Sequence, residues 1–142
     1  MTDVIAKDIT LSELKVGDVA AFERKITEED LSSFSELSGD RNPLHMDSTY
    51  AEGTAFKQRV VFGMLLGAFV SRLIGMELPG RQALILKETL EFKKPIFIGD
   101  TITVSGTIAS KSESTGLLEV HIAITRGEEL TTLGSVHVRV RP

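Results

Sequence analysis

Apolar residues recur along this chain with two distinct periods. Leu31, Phe34 and Leu37 fall at i, i+3 and i+6, which reads as one stripe on a short helix. Thr27 is a suitable N-cap, and Glu28, Glu29 and Asp30 place negative charge over the unpaired amides of the first turn. Gly39 stops this helix. Residues 64–77, MLLGAFVSRLIGME, are apolar on nearly every face, which predicts a helix enclosed by other structure. Gly67 and Gly75 lower its intrinsic propensity, so tertiary packing has to hold it. Ser48 to Ala55 has the composition of a short helix or turn.

Elsewhere the period is two. An entry segment, residues 8–18, ends in a turn at Gly17-Asp18, and Val19 to Ile26 reads as a first strand. Leu84, Leu86, Leu90 and Phe92 share one parity, with Lys87, Glu91 and Lys93 on the other. After a break at Pro95 and Gly99-Asp100, Ile102, Val104 and Ile108 alternate with threonine and serine. Leu118, Val120, Ile122 and Ile124 face one way, as do Val136, Val138 and Val140 beyond a turn around Gly127. Such runs with turn-like connections predict an antiparallel sheet. One enclosed helix against one curved antiparallel sheet makes an α+β domain. A helix that is apolar all round also anticipates a partner subunit or a ligand on its far side. No linker, repeat or low-complexity tract interrupts the pattern, so residues 1–142 read as a single domain.

Composition narrows the function classes. The formal charge of −4 argues against a nucleic-acid or anionic-membrane surface. The absence of cysteine excludes disulfides, zinc-thiolate sites and thiol catalysis. The most apolar window, Val60 to Val70, is too short to span a bilayer, and the first eighteen residues have no apolar core of a signal peptide. A cytoplasmic location is the expectation.

The chemistry concentrates in GDRNPLH, Gly39 to His45. This segment is expected to be neither regular helix nor strand, but a loop stiffened by Pro43. Asp40 and His45 can divide proton removal and delivery between them, and imidazole titrates near neutrality. Asn42 can orient a neighbour or fasten the loop in an Asx-turn. The same residues also suit an ordinary turn. Asp40, His45 and Asp47 could in principle hold a metal, but a second histidine is missing and the spacing matches no zinc motif, so no metal is expected. Gly63 stands at the mouth of the enclosed helix, where free amides could receive an oxyanion or simply turn the chain. His121 and His137 lie opposite the apolar side of their strands and should be solvated or at an interface.

Residues Phe34 to Gly75 resemble the MaoC-like dehydratase family, which contains the (R)-specific enoyl-CoA hydratases. The matching positions are Ser38-Gly39-Asp40, Asn42-Pro43-Leu44-His45, Asp47, Ala51 and Gly63-Met64-Leu65. The segment Phe92 to Ile108 is similar to that family's strand-turn-strand. The resemblance implies a hot-dog fold, a central helix wrapped by a curved antiparallel sheet, and assembly as a homodimer or higher oligomer. It places the catalytic pair on Asp40 and His45, the thioester carbonyl on the amide of Gly63, and Asn42 in a supporting role. The implied reaction is reversible hydration of trans-2-enoyl thioesters of coenzyme A or acyl-carrier protein to (R)-3-hydroxyacyl thioesters, with no cofactor. Tyr50, Phe56, Phe62, Leu65 and Phe69 are the candidates for the acyl pocket. Phe62 stands where many relatives carry His. Arg41, Lys57, Arg59, Arg81, Lys93 and Lys94 are candidates to meet ligand phosphates.

Two other readings remain open at this level. The same fold hosts thioester hydrolysis, and a non-catalytic acyl-thioester-binding module would also keep the pocket.

Overall fold

The computed structural model describes residues 4–142. Five antiparallel strands form one sheet in the order β1-β3-β4-β5-β2. They are β1 (Val19–Lys25), β2 (Ala83–Phe92), β3 (Thr101–Ser112), β4 (Leu117–Arg126) and β5 (Glu129–Val140). Four α-helices precede β2: α1 (Glu28–Ser38), α2 (Pro43–Met46), α3 (Ser48–Glu52) and α4 (Gly63–Met76). The alternation read from β3, β4 and β5 is the one observed: Ile102, Val104 and Ile108, then Leu118 to Ile124, then Val136 to Val140 face the core. Opposite them α4 inserts Leu66, Val70, Leu73 and Ile74, all essentially inaccessible. Each such side chain contributes about 2 kcal/mol by leaving water, so burial more than offsets the glycine content of α4. A helix cradled by an antiparallel sheet is the hot-dog arrangement.

Several local expectations are corrected. Leu37 is 89% exposed. Six residues of helix advance its direction about 120° away from that of Leu31, whereas Ser35, four residues on, points inward and is buried. The parity expected for β2 also fails at its start. Leu84 and Leu86 are half exposed, while Ala83 and Ile85 pack on the core. The register slips between Ile85 and Lys87, leaving Leu86 as the extra residue of a bulge. A bulge exchanges the faces of everything beyond it. Glu88 and Leu90 therefore turn toward α4, where the Glu88 carboxylate lies beside Gly67. One of its oxygens, Oε1, is buried without a hydrogen-bond partner.

Enclosure of α4 is incomplete. Met64, Ala68, Ser71 and Arg72 form an exposed stripe at i, i+4, i+7 and i+8. Among the described residues no helix is long and apolar enough to cross a membrane.

Candidate active site

Two short caps and one ion pair fix the GDRNPLH segment. Helix α1 ends at Gly39, whose φ of 80° is left-handed and whose amide donates to the Ser35 carbonyl at 2.8 Å. Glycine takes that conformation without a Cβ penalty. The buried Ser35 hydroxyl donates to the carbonyl of Asp40 at 2.8 Å, which pins the turn to the helix it leaves. The Asp40 amide donates to the Ser38 hydroxyl at 3.1 Å. Its carboxylate Oδ1 accepts from the amide of Asn42 at 3.1 Å, so Asp40 is held by its own turn.

The segment does become helical, contrary to expectation. Pro43 to Met46 is a single helical turn that carries His45. Proline at the first helical position loses no intrahelical hydrogen bond, and Asn42 caps the turn by accepting from the Leu44 amide at 3.0 Å.

His45 is fixed from two sides. Its Nδ1 lies 2.6 Å from the carbonyl oxygen of Val60. A carbonyl only accepts, so Nδ1 carries a proton and, in the neutral ring, Nε2 keeps its lone pair free. Behind it stands Phe62, with ring centroids 4.2 Å apart, and behind Phe62 stands Phe34, at 4.7 Å. The backbone carbonyl of His45 accepts from Arg59 Nε at 2.6 Å, and Arg59 Nη1 binds both oxygens of Glu28 at 2.7 Å. Arg59 was a phosphate candidate; here its side chain is 9% exposed and fastens α2 to α1.

Gly63 opens α4. Neither its amide nor that of Met64 has an acceptor among the described residues, as the geometry of a helix start dictates. The ring of Phe92, at the end of β2, covers Gly63: its carbons come within 2.9 to 3.3 Å of where a Cβ would stand. No side chain fits at 63 without displacing that ring.

The chain brings Asp40, His45 and Gly63 together on one cavity of about 560 Å³, walled by Phe34, Phe62, Met64 and Phe92. A second cavity of about 400 Å³ shares His45, Gly63 and Phe92 and continues past Phe56 to Lys93 and Lys94. Asn42 lines neither and acts on the backbone. Of the five acyl-pocket candidates, Phe62 faces the first cavity and Phe56 the second. Tyr50, Leu65 and Phe69 line neither; Leu65 and Phe69 are buried in the core, with Arg24 over the Phe69 ring, and Tyr50 is half exposed on α3. His121 and His137 lie on the outer face of the sheet beside Glu119. Phe92 and the clamping role of Arg59 escaped the sequence reading. Phe92 has only its terminal place in an alternating strand to signal it, and Arg59 has no local signal.

Residues 14–128 match the family model described as "MaoC like domain". The chain belongs to the MaoC-like domain family. Among curated relatives, the (R)-specific enoyl-CoA hydratase of Rhodospirillum rubrum is 37% identical over 124 residues, 87% of this chain and 82% of that protein. The (R)-specific enoyl-CoA hydratase of Aeromonas caviae is 34% identical, covering 89% of this chain and 96% of that protein. The solved R-hydratase of Pseudomonas aeruginosa superposes with a TM-score of 0.90 at 33% identity, across 96% of this chain and 88% of that one.

Proposed function

We propose that this MaoC-like protein hydrates trans-2-enoyl thioesters reversibly to (R)-3-hydroxyacyl thioesters, using Asp40 and His45. The observation that carries the reading is one cavity presenting a carboxyl group, an imidazole with its Nε2 free, and the open amide of Gly63. The relatives named as (R)-specific hydratases support the same reaction and the same hand.

The chemistry follows from these three groups. The Gly63 amide donates to the thioester oxygen as negative charge builds there, which makes C3 electrophilic. His45 Nε2 takes a proton from water as the water oxygen bonds to C3. The Asp40 carboxyl delivers a proton to C2. The pair ends as imidazolium and carboxylate, and passing one proton between them restores it. Net, one O–H proton of water reaches C2 and the remaining hydroxyl reaches C3. Elimination is the reverse. The aromatic wall of Phe34, Phe62 and Phe92 receives the acyl chain, and coenzyme A or an acyl-carrier protein supplies the thioester.

A homodimer belongs to this proposal. Strand β2 is a sheet edge with unpaired backbone groups, and the exposed stripe of α4 is carried by the helix packed against it. A second copy pairing along β2 would cover that edge and leave Met64 at the cavity it lines. A cytoplasmic location fits a substrate carried on coenzyme A or carrier protein.

Ultraviolet absorbance of crotonyl-CoA tests the reaction. Loss of the enoyl-thioester band with formation of (R)-3-hydroxybutyryl-CoA is the expected result. Release of free thiol from butyryl-CoA, or tight binding without turnover, would replace this reading by hydrolysis or by simple binding.

A further inference from the structure

We propose that Phe92 divides the site into an acyl compartment and a carrier-arm compartment, and that the arm leaves under Lys93 and Lys94. This rests on the hydratase reading and deepens it by giving the substrate a direction.

The two cavities meet at His45, Gly63 and Phe92. Only the first contains Asp40. Hydration requires both Asp40 and His45 at C2 and C3, so those carbons belong in the first cavity. The carbonyl oxygen belongs at the Gly63 amide, on the shared wall. The sulfur is bonded to the other side of the same carbonyl carbon, and therefore points into the second cavity.

The lining chemistry agrees with that direction. The first cavity is walled by Phe34, Phe62, Met64 and Phe92, which suits a hydrocarbon chain. Among the described residues, Lys93 and Lys94 are the only lysines or arginines lining either cavity, and both lie in the second. Their side chains are about half exposed, in ion pairs with Glu91 at 3.2 Å and Glu129 at 3.0 Å. Exposed pairs of this kind are weak, so a phosphate can compete for the ammonium groups. The arm of coenzyme A and that of a carrier protein both end in a phosphate, and either meets the same lysines.

Phe92 sits where the two compartments touch. Its ring fills the place where a Cβ on Gly63 would stand, and it lines both cavities. This ring then stands between the acyl chain and the polar arm of a thioester whose carbonyl sits at Gly63.

The cysteine-free chain allows a direct test by thiol labelling. Met64→Cys reports the first cavity and Lys94→Cys the second; both positions are exposed, so each variant should fold. Desulfo-coenzyme A carries the arm without an acyl chain. At roughly ten times its Kd, desulfo-coenzyme A should slow maleimide labelling of Lys94→Cys about tenfold and leave Met64→Cys unchanged. Butyryl-CoA should protect both. In the Phe92→Ala background the partition is gone, and desulfo-coenzyme A should begin to protect Met64→Cys. Protection of Met64→Cys by desulfo-coenzyme A with Phe92 intact, or no protection of Lys94→Cys, would overturn the assignment. An unchanged pattern in Phe92→Ala would overturn the role of Phe92. Labelling needs no turnover, so failure to hydrate crotonyl-CoA with this protection pattern intact would sink the hydratase reading alone.

Discussion

The Nδ1 of His45 and the carbonyl oxygen of Val60 are 2.6 Å apart, and this bond decides which nitrogen of the imidazole is available. Val60 sits three residues before Gly63, the first residue of α4. Its own amide donates to the Leu44 carbonyl at 3.2 Å, so the strand-like approach to α4 and the turn bearing His45 are laced together. The imidazole proposed as base and the amide proposed as oxyanion donor are thus positioned by one short segment, Val60 to Gly63.

Arg59 extends that lacing to α1, and its loss should damage both stability and rate. Arg59→Ala removes a charged hydrogen bond to the His45 carbonyl and a two-oxygen contact to Glu28. A charge-assisted hydrogen bond of this kind contributes about 2 kcal/mol, so the melting temperature should fall by roughly 5 °C or more. Glu28→Gln should cost less, because the contact to His45 survives. Thermal melts and kcat for the two variants check this order.

Asn42 should matter through its cap. Asn42→Ala leaves the Leu44 amide unsatisfied at the start of α2 and should cost about 1 kcal/mol. Asn42→Asp retains a side-chain acceptor and should recover most of that stability. Denaturant midpoints of the three proteins decide it; equal loss in both variants would show that the amide does something the cap does not.

Glu88 should make stability depend on pH. Burial holds its carboxyl above the ordinary glutamate value of 4.5. The folded chain therefore binds this proton more tightly than the unfolded chain does. Stability is fully present below the ordinary value and declines as pH rises through the raised folded value. Glu88→Gln removes the cost of ionising a carboxylate whose Oε1 lacks a partner. The variant should melt higher than the parent at neutral pH, with the gap closing as the pH falls below 4.5.

These residues also show what the sequence disclosed and what it withheld. The apolar run of α4 and the alternation of β3, β4 and β5 are repeated signals, and the run at residues 64–77 lies within one residue of the observed Gly63–Met76 bounds. The segment that carries Asp40 and His45 to one cavity was legible as caps and turns, because glycine, asparagine and proline mark these by their own chemistry. The bulge at Leu86 was not, since an apolar residue there continues the alternation and only the pairing with β5 reveals the slip. Arg59 and Phe92 were hidden for a related reason. Their roles rest on contacts to Glu28, His45 and Gly63, which lie 14 to 31 residues away from Arg59 and on another element from Phe92. No local pattern records such contacts.

The dyad itself is tested most directly by steady-state hydration of crotonyl-CoA in Asp40→Asn and His45→Ala, with circular dichroism to show that both remain folded. Loss of a positioned acid or base should lower kcat by about 10² to 10⁴ in each variant, with far less change in KM. Near-parental kcat in either folded variant would contradict the assignment of that residue, and in both would contradict the mechanism.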